Sequence, residues 1–410
     1  MSRVLAYTSP ARGHLFPLVP ILDELRRRGH AVALRTLAAD VPAQRERGVD
    51  AAPIAAAVEA IEMDDWRART PLGAMSRAIG TFGRRAPHDA ADLQAAIAAE
   101  RPDALLVDVN SWGAMAATEA WGGPWAAFCP FPLMLRSVAG PPPGPGLRPA
   151  RGAAGRLRDR LLAPAVGAGL DRMALPHLRP LRAGLGLPPL DRAEAIYLAP
   201  PLLLYLTAAP FEYPRPDWPA SIVMVGPCDW EAPGELPAEL RAVERPLVLV
   251  TASSERQDDS RLAATALRAL ADEPVHVVAT LPAASAAGLP RTANSTVLGY
   301  APHGPILDRA AAAVTHGGMG ATQKALARGV PVCAVPFGRD QFDVARRVEV
   351  AGAGTRLPAP LLSTSRLRDR VRTAIARREG AERVAAGFRA AGGPARAADV
   401  FERRLDLLSA

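Results

Sequence analysis

The segment from Thr315 to Val348 reads THGGMGATQKALARGVPVCAVPFGRDQFDVARRV and joins a strand end, a glycine turn and a helix start. The pattern predicts a buried strand over residues 311–315, a tight turn over 316–320 and a helix over 321–328. Glycine allows positive φ and a close approach to the backbone, while a helix N-terminus presents unpaired N–H groups and the positive end of a dipole. The segment therefore predicts a binding site for a diphosphate.

The same segment resembles the C-terminal donor-binding signature of the nucleotide-sugar-dependent glycosyltransferases, which include plant and animal UDP-glycosyltransferases and bacterial macrolide and enediyne enzymes. The resemblance spans the complete pattern HGGxGxxxxALxxGVPxxxxPxxxDQ, from His316 to Gln341. It implies the GT-B fold of that family, in which two Rossmann-like domains face each other across a cleft. In that fold the first domain binds most of the acceptor and the second binds the nucleotide sugar.

The order of predicted strands and helices indicates the same α/β class from the residues alone. Strands and helices alternate from residue 4 to 129, and the alternation restarts at residue 247, which predicts two parallel sheets wrapped by helices. The intervening residues 210–237 are rich in proline, which is typical of a linker. We predict an N-terminal domain, a linker and a C-terminal domain over residues 1–215, 216–237 and 238–380. The resemblance implies that residues 381–410 form a helix that packs back on the N-terminal domain.

Composition argues against several other classes of protein. The net charge is +8, but the arginines are scattered along predicted helices without interleaved aromatic residues, so we expect no nucleic-acid partner. No apolar run reaches about 18 residues and no leader precedes the strand at Val4, so we expect a cytoplasmic protein without a membrane span. The three cysteines have apolar or proline neighbours, as reduced thiols do. No residues are spaced as metal ligands are, so we expect no metal and no cofactor other than the nucleotide sugar as co-substrate. The sequence leaves open whether the protein forms a homodimer.

His14 and Asp108 are the predicted catalytic residues. His14 follows the first predicted strand, and Asp108 ends the strand over residues 104–107, so both should lie at the carboxyl edge of one sheet. An imidazole can accept a proton from a hydroxyl, and a carboxylate can orient it. The sequence GHLFPLVPIL resembles the family motif GHxxPxxPLL, in which this histidine is the catalytic base. The alternatives are a structural histidine and an aspartate that caps the following helix.

The resemblance also assigns the donor contacts of the second domain. Ser253 and Ser254 follow the first strand of that domain, where relatives place a phosphate or sugar contact; simple turn chemistry is the alternative. Tyr300 and His303 occupy the place of the family's Trp-x-Pro-Gln, so Tyr300 should stack on the nucleobase and His303 should replace the glutamine. The diphosphate contacts are expected at His316, Gly317, Gly318, Gly320, Ala321 and Thr322, and the sugar contacts at Asp340 and Gln341.

Two residues depart from the family pattern. Lys324 stands where many relatives have a glutamate that binds the ribose hydroxyls, and Ala321 replaces a hydroxyl residue. Because of these two changes, the sequence does not decide whether the donor is a dTDP-sugar or a UDP-sugar. A weakened donor site is also compatible with them.

Together these features predict an inverting glycosyltransferase that transfers a sugar to a hydroxyl of a hydrophobic natural product. Apolar side chains expected near the cleft would contact the acceptor, although they fit a core equally well: Phe16, Phe82, Trp112, Phe131 and Met134. Two alternatives are a nucleotide-sugar 2-epimerase of the same architecture and a donor-binding helper protein that has lost turnover.

Overall fold

A computed structural model describes residues 1–253, 260–281 and 288–407, and it shows two α/β units, each built on a parallel sheet. The predicted fold class is therefore confirmed. In the first unit the strands are β1 (Arg3–Tyr7), β2 (Ala31–Thr36), β3 (Asp50–Pro53), β4 (Ala104–Asp108), β5 (Trp125–Cys129), β6 (Leu203–Tyr205) and β7 (Ile222–Met224). Its helices are α1 (Arg12–Arg27), α2 (Val41–Glu46), α3 (Ala56–Glu59), α4 (Pro71–Glu100), α5 (Trp112–Trp121) and α6 (Gly152–Gly184).

The second unit repeats this alternation of strands and helices. Its strands are β8 (Leu247–Thr251), β9 (His276–Thr280), β10 (Ser295–Leu298), β11 (Ala310–Thr315), β12 (Val332–Ala334) and β13 (Gly354–Arg356). The helices are α7 (Ala238–Arg241), α8 (Ser260–Ala269), α9 (His303–Leu307), α10 (Met319–Ala327), α11 (Gln341–Val350), α12 (Thr364–Ile375), α13 (Arg378–Ala391) and α14 (Gly393–Arg404).

The strand order brings the predicted site residues together. The first sheet has the order β3-β2-β1-β4-β5-β6-β7 and the second has the order β10-β9-β8-β11-β12-β13. Strands β1 and β4 are parallel neighbours, so the first turn of α1, which carries His14, and the strand end at Asp108 share one edge. Strands β8 and β11 are likewise neighbours, so Ser253 and His316 share an edge of the second sheet.

Apolar side chains cover both faces of each sheet. In β1, Leu5 and Tyr7 pack into one hydrophobic core, and Val4 and Ala6 pack into the core on the opposite face. Strand β8 divides its side chains in the same way between two further cores. This burial on both faces explains why the strands are nearly continuous runs of apolar residues.

Two predicted domain boundaries differ from the structure. Strand β7 lies inside the predicted linker over residues 216–237, yet it pairs with β6 and completes the first sheet, so the N-terminal unit extends at least to Met224. A final helix does pack on the first unit, but it begins at Gly393 rather than at residue 381. Helix α13 packs Phe388 into the core of the second unit, whereas α14 packs Phe401 into the core of the first. The short strand lies in a proline-rich segment that favoured a linker, whereas Gly392-Gly393-Pro394 is a helix-ending signal that the prediction did not use.

Two further expectations concern the membrane and the cysteines. Within the described ranges, the structure contains no helix that is long and apolar enough to span a membrane. Cys129, Cys228 and Cys333 are free and buried, and burial raises the pKa of each thiol above its ordinary value.

Candidate active site

A cavity of about 1480 Å3 lies between the two sheets and is lined by residues of both units. The first unit contributes His14 and Asn110, and the second contributes His316 and the start of helix α10. The carboxyl ends of the strands of both sheets therefore face one space, as expected for ligand sites of open α/β sheets.

His14 and Asp108 form a hydrogen-bonded pair on the wall of this cavity. The Nδ1 atom of His14 lies 2.8 Å from Oδ2 and 3.0 Å from Oδ1 of Asp108. The hydroxyl and the backbone N–H of Ser9 donate to Oδ2 at 2.6 and 3.0 Å, and the N–H of Asn110 donates to Oδ1 at 2.9 Å. Complete burial alone would raise the pKa of Asp108, but the nearby His14 and these donors hold it below its ordinary value. Asp108 is thus a fixed, ionised acceptor.

Asp108 and Asn110 identify the nitrogen of His14 that can accept a proton. The Nδ2 atom of Asn110 lies 3.3 Å from Nε2 of His14. The ionised carboxylate of Asp108 accepts a hydrogen bond from Nδ1, so Nδ1 carries the ring proton and the unprotonated Nε2 can accept the N–H of Asn110. Nε2 then faces the cavity as the basic atom. Sequence reasoning missed Asn110 and Ser9, although Asn110 lies two positions after Asp108 and Ser9 five positions before His14.

The predicted diphosphate turn depends on two glycines. Gly317 has φ +88°, and its N–H donates to Oγ1 of Thr315 at 3.1 Å. Gly318 precedes α10, and a Cβ atom there would lie 2.3 Å from Nε2 of His316. The histidine ring therefore lies against a backbone that only glycine can provide. Gly318, Gly320 and Ala321 line the cavity at the N-terminus of α10, where the first N–H groups lack acceptors within the helix.

Thr322 does not make the contact predicted for it. Its side chain is completely buried beneath the turn, with Oγ1 3.4 Å from Oγ1 of Thr315. Its N–H donates to the carbonyl of Gly318 at 3.1 Å. The predicted role of Thr322 as a diphosphate ligand is therefore wrong, because the helix turns this position away from the cavity. Gly317 also lies outside the cavity wall and shapes the turn.

Tyr300 and His303 lie farther along the same wall. Tyr300 is 68% exposed, so one face of its ring is open to a ligand. Nε2 of His303 lies 2.9 Å from Oγ1 of Thr280. Burial, followed by the charge of Lys324, lowers the pKa of His303 to about 4, so the imidazole is neutral. Ser253 lines the cavity nearby, and Ser254 lies outside the described residues.

Lys324 is paired with two carboxylates from the connection between the units. Its Nζ atom lies 3.0 Å from Oε2 of Glu231 and 3.2 Å from Oδ1 of Asp229. Glu231 also accepts the N–H groups of His303 and Gly304, at 2.9 and 2.7 Å. All of the paired side chains line the cavity. The positive charge that Lys324 introduces in place of the family's glutamate is therefore paired with the carboxylates of Glu231 and Asp229.

Asp340 and Gln341 lie at the start of α11 and line the cavity. Oε1 of Gln341 accepts the N–H groups of Phe337 and Gly338 at 2.8 and 3.1 Å, so this carbonyl oxygen holds the preceding loop. Burial raises the pKa of Asp340 to about 6. Their predicted contacts with the sugar stay a prediction.

The predicted acceptor residues all lie on the cavity wall, in the part contributed by the first unit: Phe16, Phe82, Trp112, Phe131 and Met134. The ring of Phe131 lies 5.5 Å from that of His14, and Phe82 lies 5.7 Å from Trp112. Phe16 packs 5.1 Å from Trp230 and is therefore near the connection between the units. Helices α4 and α6 add apolar residues that the sequence did not single out, namely Met75, Ile79, Leu170 and Met173.

No metal-binding group was found in the described part of the chain. Residues 1–253, 260–281 and 288–407 contain no cluster of three or more His, Cys, Asp or Glu side chains placed to hold a metal ion.

Comparisons with known proteins agree with this architecture. The chain is 33% identical over 389 residues to 4'-demethylrebeccamycin synthase of Lentzea aerocolonigenes, covering 91% of this chain and 92% of the relative. It is 25% identical to demethyllactenocin mycarosyltransferase of Streptomyces fradiae, covering 98% and 86%. Residues 264–403 match the family model of the erythromycin biosynthesis protein CIII-like C-terminal domain.

Solved structures show the same fold. The glycosyltransferase of kitacinnamycin superposes with a TM-score of 0.76 at 24% identity and covers 98% of both chains. The glycosyltransferase VinC in complex with dTDP gives a TM-score of 0.72 at 24% identity, covering 99% of this chain and 100% of VinC. The two facing sheets and the cavity between them therefore define a GT-B glycosyltransferase fold. With the 33% identity across nine-tenths of its length, the chain belongs to the family of antibiotic and natural-product glycosyltransferases.

Proposed function

We propose that this protein is an inverting glycosyltransferase that moves a sugar from a dTDP- or UDP-sugar to a hydroxyl of a hydrophobic natural product. One observation carries the proposal. The His14–Asp108 pair and the His316 turn belong to different units, yet both line the same cavity. A base for the acceptor and a cradle for the leaving diphosphate thus meet in one space.

On the acceptor side, Nε2 of His14 removes the proton of the attacking hydroxyl. The oxygen forms a bond to the anomeric carbon of the donor sugar as the proton passes to the imidazole. Asp108, 2.8 Å from Nδ1, stabilises the imidazolium that results. The amide of Asn110, 3.3 Å from Nε2, holds the ring in place until the hydroxyl takes this position.

On the donor side, the bond from the anomeric carbon to the diphosphate breaks in the same step. The N-terminus of α10 and His316 carry fixed donors toward the growing negative charge, which stabilises the transition state more than the ground state. A single displacement inverts the anomeric configuration. Because protein donors supply this stabilisation, we propose that transfer needs no metal ion.

The acceptor is proposed to be apolar because aromatic and methionine side chains dominate its side of the cavity. Methionine adapts to irregular shapes and packs well on aromatic rings. Relatives are named for attaching sugars such as mycarose and desosamine to antibiotic compounds, which supports an acceptor of this class.

Thermal unfolding in the presence of free nucleotides and nucleotide sugars tests the donor assignment. A ligand that binds only the native state raises the apparent stability, and the increase grows with the logarithm of the ratio of its concentration to Kd. We expect dTDP or UDP species to raise Tm, and His316→Ala to reduce this shift. No shift with any nucleotide would contradict the proposal, and a product of retained configuration by NMR would contradict the single displacement.

A donor-binding helper without turnover is the second candidate, because Lys324 and Ala321 alter the donor site. The pairing of Lys324 with Glu231 and Asp229 weakens this alternative by neutralising the added charge. Nucleotide binding without transfer to any of a broad set of apolar acceptors would favour the helper.

A further inference from the structure

The turn that precedes helix α11 is held by the first unit, although α11 belongs to the second. Nε and Nη2 of Arg339 donate to Oδ2 and Oδ1 of Asp65 at 2.6 and 2.8 Å. Asp65 lies in the short turn Asp65–Arg67 before α4, and its side chain is only 5% exposed. Two parallel, charge-assisted hydrogen bonds of this kind fix geometry as well as contributing energy.

The backbone at Arg339 needs this support. Its φ is +54°, in the left-handed region that side-chain-bearing residues occupy only at a cost. Arg339 directly precedes Asp340, the N-cap residue of α11. The ion pair with Asp65 therefore holds the residue next to the proposed sugar contact in a conformation it would not adopt freely.

A second attachment lies one turn farther along α11. The carboxylate of Asp343 accepts the N–H groups of Gly144 and Gly146, at 2.7 and 2.9 Å. Gly146 approaches so closely that a Cβ atom there would lie 2.4 Å from the carbonyl of Phe342. Gly144 and Gly146 belong to a loop rich in proline and glycine, of which residues 143–145 line the acceptor side of the cavity. The proline- and glycine-rich loop is thus attached to the donor-binding unit.

We propose that the acceptor domain positions the donor sugar, with Asp65 as the principal positioning residue and the 143–146 loop as its second support. This inference rests on the proposed function, because it takes Asp340 and Gln341 as the sugar contacts. Asp65 acts through Arg339 on Asp340, so the anomeric carbon is aligned with the acceptor hydroxyl only when both units hold the turn. The nucleotide itself binds at the His316 turn, which Asp65 does not touch.

Steady-state kinetics and nucleotide binding of Asp65→Asn, Asp65→Ala, Arg339→Ala and the double alanine variant test the inference. We expect kcat to fall about 10- to 100-fold, as misalignment at a reacting centre does. The Kd of free dTDP or UDP should stay within about twofold of wild type, because the pair lies away from the nucleotide. The double variant should be no slower than Arg339→Ala, since Asp65 acts through Arg339.

The exchange variant Asp65→Arg with Arg339→Asp separates positioning from mere folding. It restores an ion pair between the same positions, and aspartate tolerates positive φ better than most residues. We expect it to recover at least a tenth of the wild-type kcat. Arg28→Ala is the matched control, because Arg28 forms an ion pair of 2.7 Å with Asp399 of α14, remote from the cavity. Its kcat should equal that of wild type.

The outcomes distinguish this inference from the proposed function. An active wild type with equally active Asp65 and Arg339 variants would overturn the inference alone. Additive losses in the double variant, or a rise in nucleotide Kd as large as the fall in kcat, would also overturn it. A wild type that binds no nucleotide would overturn the proposed function and, with it, this inference.

Discussion

The two walls of the cavity are built by different means. On the first unit, the site consists of side chains: His14, Asp108, Ser9 and Asn110 hydrogen-bond to one another in a closed group. On the second unit, the proposed diphosphate turn consists mainly of backbone, with Gly317 and Gly318 bringing His316 against the start of α10. Substitutions in a site made of side chains act by changing chemical groups, whereas substitutions in a site made of backbone act by changing its shape. This difference explains how Ala321 can stand in the turn without a hydroxyl.

The largest effect is expected from His14→Ala, which removes the proposed base. We expect kcat to fall about 10²- to 10⁴-fold, the usual contribution of general-base catalysis, with the Kd of the nucleotide unchanged. Single-turnover transfer and nucleotide titration measure the two quantities. His88→Ala, at an exposed position of α4, serves as the control. A similar loss of nucleotide binding would show that the two walls are not independent.

Asp108→Asn should have the next largest effect. The amide cannot stabilise the imidazolium, and it places an N–H among the donors that now surround the carboxylate. We expect kcat to fall about 10²- to 10³-fold with unchanged nucleotide Kd. Because the pKa of Asp108 is held below its ordinary value, the wild-type carboxylate stays ionised throughout the neutral range. A variant with full activity would assign Asp108 to the alternative role of a helix cap.

Gly318→Ala tests the backbone wall by shape alone. The added methyl would lie 2.3 Å from Nε2 of His316 and must displace the ring. Overpacking of this kind costs about 1–3 kcal/mol, so we expect nucleotide Kd to rise about 5- to 150-fold. Gly184→Ala is the control, because a Cβ atom there meets nothing within 4 Å. Unchanged binding would contradict the placement of the diphosphate at this turn.

Local signals in the sequence accounted for much of the fold. The sequence predicts a long helical region over residues 70–99, and α4 spans Pro71–Glu100, with Thr70 accepting the N–H of Gly73 at its start. By contrast, α6 was not predicted, because it contains Pro164, Pro176 and Pro180. Burial of Leu175 and Leu178 against the first core stabilises this helix against the propensity of its prolines.

Some features of the candidate site could likewise be predicted from the sequence, and others could not. His14 and Asp108 could be placed together from the sequence, because both follow strands whose carboxyl ends meet at one sheet edge. The pairing of Arg339 with Asp65 could not, because the two residues lie 274 positions apart and meet only when the units pack. Thr322 was misplaced because the motif fixes its spacing from His316 but does not show which side of α10 faces the cavity.

The smallest effect is expected from the titration of Asp340, a carboxylate on the wall that the second unit contributes. Burial raises its pKa to about 6, so the group is ionised above that pH and becomes protonated below it. At pH 5 only about a tenth remains ionised, and the protonated form is a weaker acceptor for sugar hydroxyls. We expect the Kd of the nucleotide sugar to rise up to about 10-fold between pH 7 and pH 5 in wild type and to change less in Asp340→Asn. Binding is measured rather than turnover, because proton transfer to His14 affects only turnover. Equal pH dependence of the nucleotide-sugar Kd in wild type and Asp340→Asn would show that Asp340 does not contact the sugar.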